Sequence, residues 1–187
     1  MPTRCGWAKT DLLIEYHDKE WGLPLHDDRA LFEFLILEGA QAGLSWEIIL
    51  KKRENYRQAF DLFDAAKIAR YNARKVATLL SNPGIIRNSL KVKSAVSNAV
   101  AFLEIQREFG SFDDYVWRFM DGRPLKRKRG EAMASRTPIS DTLSKDLRKR
   151  GFKFVGTTIC YSFMQAVGMV NDHDSGCFRY REVGRRV

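Results

Sequence analysis

Apolar residues recur along this chain at the spacing expected of α-helices that each bury one face. Three sets of them fall on a single helix side, because their members are one, three or four residues apart. The sets are Leu31, Phe32, Leu35 and Ile36; Val76, Leu79 and Leu80; and Val92, Val96, Val100 and Leu103. The strict alternation typical of strands is hard to find. The pattern therefore predicts an all-α protein.

Polar cap residues and helix breakers mark the ends of the predicted helices. Acidic residues precede 29–40 and 65–71, and Ser140-Asp141 precedes 142–150, as N-caps do. Breakers occur at Asn82-Pro83-Gly84 and at Arg150-Gly151. With connections of ordinary length, about eight or nine short helices result. The segment 121–138 holds a basic run and no apolar stripe, which predicts an exposed loop.

The chain is expected to form one folded unit. Its 187 residues are 44% hydrophobic and 12% aromatic, which suits one compact domain or two small lobes. No repeat or linker divides it, so residues 1–187 are treated as a single unit whose two lobes separate only in space. The first residues lack the apolar core of a signal peptide, and no run of about 18 uncharged apolar residues occurs. We therefore expect a cytoplasmic protein that does not enter a membrane.

The net charge is strongly positive. Lys and Arg number 32 against 23 Asp and Glu, which gives +9 and a pI near 9.6. Such a balance attracts polyanions by electrostatic steering and counterion release. Ordinary soluble proteins are also basic, so charge alone makes a nucleic-acid partner plausible and no more than that.

Cysteine and histidine residues form two pairs at opposite ends of the chain. His173 and Cys177 are four residues apart and can share one helix face or one tight turn, and Cys5 and His17 supply a second pair. Together they give the Cys2His2 stoichiometry of a closed structural zinc site. The alternative is that each cysteine is a small buried hydrophobe. Spacing alone leaves both interpretations open.

The remaining His26 and Cys160 have no such partners, and we expect them at the surface and in the core, respectively. An odd number of cysteines also argues against a disulfide framework.

Aromatic residues and one acid are concentrated in the first quarter of the chain. Trp7, Tyr16, Trp21 and Trp46 offer faces on which a nucleobase can stack, and Glu38 offers an acceptor for an exocyclic amine. Gly39 and Gly43 permit close approach of a ligand, and Leu44 can project as a wedge. The alternative is an ordinary aromatic core with an exposed Glu38, and spacing alone favours that alternative.

A glycine-bounded turn between two helices is a candidate phosphate site. A basic helix end at 145–150 leads into the turn 151–156, and an apolar helix is predicted over 157–168. Backbone N–H groups at the start of that helix would face an anion, with Lys149, Arg150 and Lys153 beside them. A solvated basic connection is the alternative. The segment 82–88, which leads to Lys91 and Lys93, is a second candidate with less charge around it.

With these residues in view, the sequence resembles the 3-methyladenine-DNA glycosylase I family of the helix-hairpin-helix DNA glycosylase superfamily. The matching stretches extend from residue 4 to residue 177 in order. They are Arg4-Cys5-Gly6-Trp7, Tyr16-His17-Asp18 with Glu20-Trp21-Gly22, Glu38 with 41–46, 51–56, 84–87, 150–156, and Asn171-Asp172-His173. So many long matches in one order are highly specific.

The resemblance implies an architecture and a cofactor. It implies two helical lobes, one made by the terminal segments around a structural zinc and the other by the central helices and the hairpin. One zinc ion would be held by Cys5, His17, His173 and Cys177, and it would join the N- and C-terminal segments. A flipped-out 3-methyladenine would occupy a pocket between the lobes.

The resemblance also implies roles for individual residues. Glu38 would accept hydrogen bonds from the base edge, and Tyr16 would make a second polar contact; these two are the candidate catalytic residues. The candidate substrate-binding residues are Trp46 as a stacking face, Trp21 and Trp7. The residues expected to contact DNA are Gln41, Gly43, Leu44, Lys153, Gly156 and Thr157.

The chemistry implied by the resemblance is hydrolysis of the N-glycosidic bond in alkylated double-stranded DNA. N3-methylation makes the purine cationic and a good leaving group, so the enzyme needs less acid catalysis. Much of its task is then to select a cationic ring over neutral adenine. No matching catalytic lysine is evident, which predicts a monofunctional enzyme that leaves an abasic site. Asp172 and Asp174 flank a proposed metal ligand, so neither is assigned the cation-stabilising role that an aspartate has in many superfamily members.

Two other functions remain open from the sequence. One is a non-catalytic zinc-dependent DNA-binding module, and the other is a glycosylase for a different alkylpurine. We expect a monomer without a protein partner. The tail after Cys177 follows no usable family pattern, and either phosphate contacts or disorder is expected there.

Overall fold

The protein is mostly helical, which confirms the all-α prediction. The computed structural model describes residues 2–183, and ten α-helices occur in that range. They are α1 Asp11–Lys19, α2 Asp28–Gln41, α3 Trp46–Ala59, α4 Ala65–Ile68, α5 Ala73–Ser81, α6 Ser89–Phe109, α7 Phe112–Trp117, α8 Pro138–Lys149, α9 Thr157–Ala166 and α10 Phe178–Val183. Two short 3-10 turns lie at Asp61–Phe63 and Arg118–Met120. Within the described residues, no helix is both long enough and apolar enough to span a membrane.

Side chains at the N-caps start most of these helices. Asp27 accepts a hydrogen bond from the backbone N–H of Ala30 at 2.8 Å, and Ser45 accepts one from that of Ile48 at 3.4 Å. These bonds satisfy backbone donors that have no partner within the helix. They fix where α2 and α3 begin, and so they define the short connection 42–45 between the two helices.

Helix α2 is the central element of the core. Ten consecutive residues of α2, 31–40, are buried, and the helix contacts α3, α6, α7 and α9. A helix that is covered on all sides cannot show a one-sided apolar stripe. The face predicted from Leu31, Phe32, Leu35 and Ile36 is therefore only part of the surface that α2 buries.

The predicted loop 121–138 is exposed over most of its length, but it contains a strand that the prediction missed. Strand β1, Leu125–Lys126, pairs in parallel with β2, Val170–Asn171. Each strand has two residues, which is too few to produce a period-2 pattern in the sequence. The pairing fixes the loop against the segment that leads to His173.

The two ends of the described chain lie together. The backbone N–H of Phe178 donates to the carbonyl of Thr3 at 3.0 Å, which joins the start of α10 to the N-terminal segment. Of the tail for which either phosphate contacts or disorder was expected, 178–183 is helical and 184–187 lies outside the described residues. The division into two lobes stays a prediction.

Candidate active site and metal centre

One cavity of about 330 Å³ collects most of the residues predicted to bind the base. Elements far apart in the sequence line it, namely α1, α2, α3, α9 and the 121–138 loop. The lining residues are Trp7, Leu13, Tyr16, Trp21, Glu38, Gln41, Ser45, Trp46, Glu47, Met133, Ser162 and Gln165. The predicted set of Glu38, Tyr16 and the three tryptophans is therefore brought together in space.

Glu38 is a buried acid and not the exposed one that spacing alone favoured. Only 4% of its surface is accessible, although it lines the cavity. No described residue donates a hydrogen bond to its carboxyl group. Burial away from water penalises the charged form and raises the pKa of Glu38 to about 8. The cavity therefore contains a carboxyl group that a cationic ligand would help to ionise.

Aromatic rings form the walls around that carboxyl group. Tyr16 and Trp46 lie 5.6 Å apart between ring centroids, and Trp7 and Trp21 lie 5.0 Å apart edge to face. Burial, reinforced by the nearby Glu38, raises the pKa of Tyr16 well above its usual value, so the phenol stays protonated. The indole N–H of Trp46 is buried without a hydrogen-bond partner among residues 2–183. The walls thus combine stacking faces with polar groups available to a ligand.

Arg53 joins the three helical elements that carry these walls. From α3 it donates to Glu20, at the end of α1, and to Glu33 on α2, each at 2.5 Å. Its guanidinium lies 4.9 Å from the ring centroid of Phe34, which stacks on Trp46. The ion-pair network therefore holds α1, α2 and α3 together behind the cavity.

The turn predicted to contact DNA lies at the rim of the cavity, between α2 and α3. The N–H of Leu44 donates to the carbonyl of Gln41, and Gly43 has a positive φ of 79° that favours glycine. Leu44 is 37% exposed, so its side chain is accessible for the predicted role as a wedge.

Lys91, which was considered for a phosphate site after 82–88, instead supports that turn. Its ammonium group donates to the carbonyls of Ala40 and Ala42, both at 2.7 Å, at the end of α2. Partial burial lowers the pKa of Lys91. A cation at a helix C-terminus satisfies carbonyls that have no partner within the helix.

The predicted hairpin connects α8 to α9 and packs against α2 and α6. The side-chain amide of Asn98 accepts from the N–H of Lys153 at 2.7 Å and donates to its carbonyl at 3.0 Å. Phe154 follows with a positive φ of 54°, and a Cβ at Gly39 would lie only 3.2 Å from that of Phe154. The hairpin therefore packs on the part of α2 that carries Glu38, although no hairpin residue lines the cavity itself.

The charges around the hairpin's candidate anion site differ from the prediction. Gly156 is the N-cap of α9 without a side-chain cap, and Thr157 lines a cleft with Lys145 and Arg148. The expectation that Arg150 flanks this site was wrong. Arg150 pairs with Glu108 of α6 at 2.6 Å and with Asp146, four residues earlier, at 2.8 Å. The Thr157 hydroxyl donates to Asp141, while Lys153 is exposed next to the hairpin turn.

The two predicted cysteine and histidine pairs converge into one buried cluster. The ligand atoms of Cys5, His17, His173 and Cys177 all lie within 4.8 Å of one another, and the group could hold a metal ion. Nδ1 of His173 lies 3.2 Å from Nε2 of His17, 3.5 Å from Sγ of Cys5 and 3.7 Å from Sγ of Cys177. Burial lowers the pKa of His173 to about 3, which keeps the imidazole in the neutral form that binds metals.

Both histidines of the cluster are oriented through their other ring nitrogen. Nδ1 of His17 contacts the carboxylate of Asp18 at 2.7 Å, and Nε2 of His173 contacts the carbonyl of Trp21 at 3.1 Å. Such contacts fix the tautomer and the ring plane in metal sites. Trp21 lines the base cavity, so the cluster directly supports one of its walls. The predictions for the histidine and the cysteine outside the cluster are also confirmed, since His26 is exposed and Cys160 is fully buried.

The two aspartates near the cluster do not line the cavity. Asp172 is fully buried and pairs with Arg127, and Asp174 is exposed and also pairs with Arg127. Neither is among the residues that line the cavity.

The residues that sequence reasoning missed are Asn98, Met133 and Gln165. Their contacts cross between helices or loops distant in sequence, so no local spacing could reveal them.

Comparison with known proteins identifies the family. The family model for methyladenine glycosylase matches residues 7–180. DNA-3-methyladenine glycosylase 1 of Escherichia coli (strain K12) is 50% identical over 180 residues, which are 95% of this chain and 96% of that protein.

Solved structures agree. A crystal structure of a 3-methyladenine DNA glycosylase I aligns with a TM-score of 0.91 at 53% identity, over 94% of this chain and 98% of that one. The Staphylococcus aureus 3-methyladenine DNA glycosylase I, solved to explain 3-methyladenine recognition, aligns with a TM-score of 0.90 at 36% identity, over 94% of this chain and 95% of that one. The chain therefore belongs to the methyladenine glycosylase family.

Proposed function

We propose that this protein is a base-excision repair enzyme that hydrolyses the N-glycosidic bond of 3-methyladenine in DNA, releasing the base and leaving an abasic site. The buried, unpaired carboxyl group of Glu38 between aromatic walls is the observation that carries the proposal. A non-catalytic DNA-binding module would gain nothing from an acid whose burial raises its pKa to about 8.

The substrate's charge explains why such an acid is useful. A 3-methylated adenine still attached to its sugar is a cation, whereas normal adenine is neutral. The ionised Glu38 and the faces of Trp46 and Tyr16 favour the cationic ring over the neutral one. Tyr16, held protonated, supplies a second polar contact, while Trp21 and Trp7 complete the walls.

Bond cleavage then requires little acid catalysis, because the methylated base is already a good leaving group. Water attacks the anomeric carbon through an oxocarbenium-like transition state. No lysine lines the cavity within the described residues, so we assign no Schiff-base step and a monofunctional reaction.

DNA would be held on both sides of the cavity. Gln41, Gly43 and Leu44 fill the space that the flipped nucleotide leaves, with Leu44 as the wedge. On the other side, the backbone at Gly156 and Thr157 would bind a phosphate at the uncapped start of α9, with Lys153 nearby. We further propose that the enzyme acts as a monomer in the cytoplasm, on double-stranded DNA.

The metal of the buried cluster is proposed to be one structural zinc ion. Two thiolates and two imidazoles around tetrahedral zinc stand about 3.3 to 3.8 Å apart, given the usual zinc–ligand bond lengths. Three separations within the cluster, 3.2, 3.5 and 3.7 Å, are close to that requirement, and all four ligand atoms lie within 4.8 Å of one another. Four protein ligands leave no open position for a substrate, so the ion would stabilise the joined terminal segments.

A base-release assay tests the function. Methylated double-stranded DNA is incubated with the protein, and the free bases are identified by chromatography. We expect 3-methyladenine, with release strongly reduced in Glu38→Gln and retained in Glu15→Gln, an exposed acid of α1 paired with Lys19. Dominant release of 7-methylguanine would indicate another alkylpurine specificity. DNA binding without any release would indicate the binding module.

A further inference from the structure

Gln165 is a polar cavity residue to which no role has been given. It lies on α9, is 9% exposed and lines the same cavity as Glu38, Tyr16 and Trp46. Ser162 lies on the cavity side one helical turn earlier. Helix α9 packs directly on α2, which carries Glu38. The amide of Gln165 is thus available to a base in the cavity.

The orientation of that amide is fixed from behind by Asp172. Nε2 of Gln165 donates to Oδ2 of Asp172 at 2.6 Å, and the Tyr161 hydroxyl donates to the same oxygen at 2.8 Å. Nε of Arg127 lies 2.6 Å from the other carboxylate oxygen. A carboxylate in an ion pair only accepts hydrogen bonds, so the NH₂ group of Gln165 must face it. No described residue donates to the Oε1 atom, which is left to face the cavity.

We infer that Gln165 is a specificity-determining residue that presents a fixed acceptor to the 6-position of the flipped purine. The inference rests on the proposed activity toward 3-methyladenine. A 6-amino group carries two N–H donors, and the acceptors at Glu38 and Gln165 can match both. A 6-oxo purine such as 3-methylguanine would place its own acceptor against the Gln165 oxygen. Asp172 prevents the amide from rotating to offer NH₂ instead, so the site rejects 6-oxo purines.

Two variants separate the acceptor from its support. Gln165→Met removes the acceptor at similar volume, and Asp172→Asn allows the amide to rotate. Tyr161→Phe is the matched control, because it removes another donor to Asp172 and leaves the Gln165 bond in place. The measurement is kcat/KM for release of 3-methyladenine and of 3-methylguanine from DNA, with metal content recorded for each protein. The ratio of kcat/KM for 3-methyladenine to kcat/KM for 3-methylguanine is expected to fall about tenfold in Gln165→Met and in Asp172→Asn. In Tyr161→Phe this ratio should stay as in the parent.

The outcomes distinguish this inference from the proposed function. A parent enzyme that releases 3-methyladenine, with the same ratio in Gln165→Met as in the parent, would overturn the role of Gln165 alone. Absence of any release by the parent would overturn the function itself. If the variants lose their metal or do not fold, inhibition of Glu38→Gln by free 3-methyladenine and by 3-methylhypoxanthine decides, because an amide at position 38 can rotate to suit either base. The two bases differ at the 6-position, so tighter inhibition by the 6-amino base then supports the fixed acceptor at Gln165, and equal inhibition contradicts it.

Discussion

Replacing Glu38 with glutamine should stabilise the protein while reducing its activity, by an amount that depends on pH. Glu38 has a pKa of about 8 in the folded protein against 4.5 in the unfolded chain, because burial disfavours the carboxylate. The folded state therefore loses stability as the pH rises from 4.5 through 8, where the unfolded chain releases the proton more readily. Glutamine is similar in size to the neutral acid and does not titrate, so the variant avoids that loss.

The expected size follows from about 1.36 kcal/mol for each unit of pKa difference. The advantage of Glu38→Gln in the free energy of unfolding should be about 1 kcal/mol at pH 5 and about 3 kcal/mol at pH 7. About one Glu38 in ten is ionised at pH 7 in the free protein. Because the cationic base favours the ionised form, kcat/KM of the parent should rise with pH toward 8, and this rise should be absent from the variant.

Urea denaturation at several pH values measures the stability, and base release measures the activity. Glu33→Gln is the matched control, since Glu33 is also a buried acid of α2 but accepts from Arg53 at 2.5 Å and from Arg57 at 2.9 Å. Breaking those ion pairs should destabilise the protein by about 2 kcal/mol or more, the opposite sign. A stability difference between Glu38→Gln and the parent that stays constant from pH 5 to pH 8 would refute the reasoning.

Two further predictions concern the metal cluster and the turn after α2. Cys177→Ser should abolish bound zinc in elemental analysis and lower the melting temperature. Cys160→Ser should retain the metal, because Cys160 is buried outside the cluster. Equal metal content in the two variants would exclude the site. Lys91→Met should lower single-turnover base release about tenfold, since the carbonyls of Ala40 and Ala42 lose a charged donor, and Lys91→Arg should restore part of it. Lys67→Met, at an exposed lysine, is the reference variant. If Lys91→Met releases the base as fast as that reference, the turn after α2 does not depend on the hydrogen bonds from Lys91.

The arrangement around α2 explains why several supporting residues act on one pocket. Arg53 holds the outer side of the helix through Glu33, Lys91 holds its end, and the hairpin residue Phe154 packs on Gly39. Glu38 itself has no partner among the described residues. The supporting contacts offset the energetic cost of burying that acid, a common arrangement where a functional group opposes stability.

The sequence by itself determined the helices and the donor types of the metal cluster. Helical spacing and N-cap residues depend on contacts within about four residues, so they can be read locally. The His173–Cys177 spacing is local in the same way, and the family resemblance joined that pair to Cys5 and His17. The exposed loop at 121–138 was also largely predictable, apart from a strand too short to leave a pattern.

Only the tertiary structure decided which polar groups are buried and which charges are free. Spacing favoured an exposed Glu38, but α2 is covered on all sides, so the acid is buried and its pKa is raised. Arg150 and Lys91 looked like phosphate ligands, yet Glu108 and the carbonyl of Ala40 are their partners within the protein. The orientation of Gln165 depends on Asp172, which a turn and a strand bring back to α9. Such properties depend on atoms from distant segments, and spacing along the chain carries no information about them.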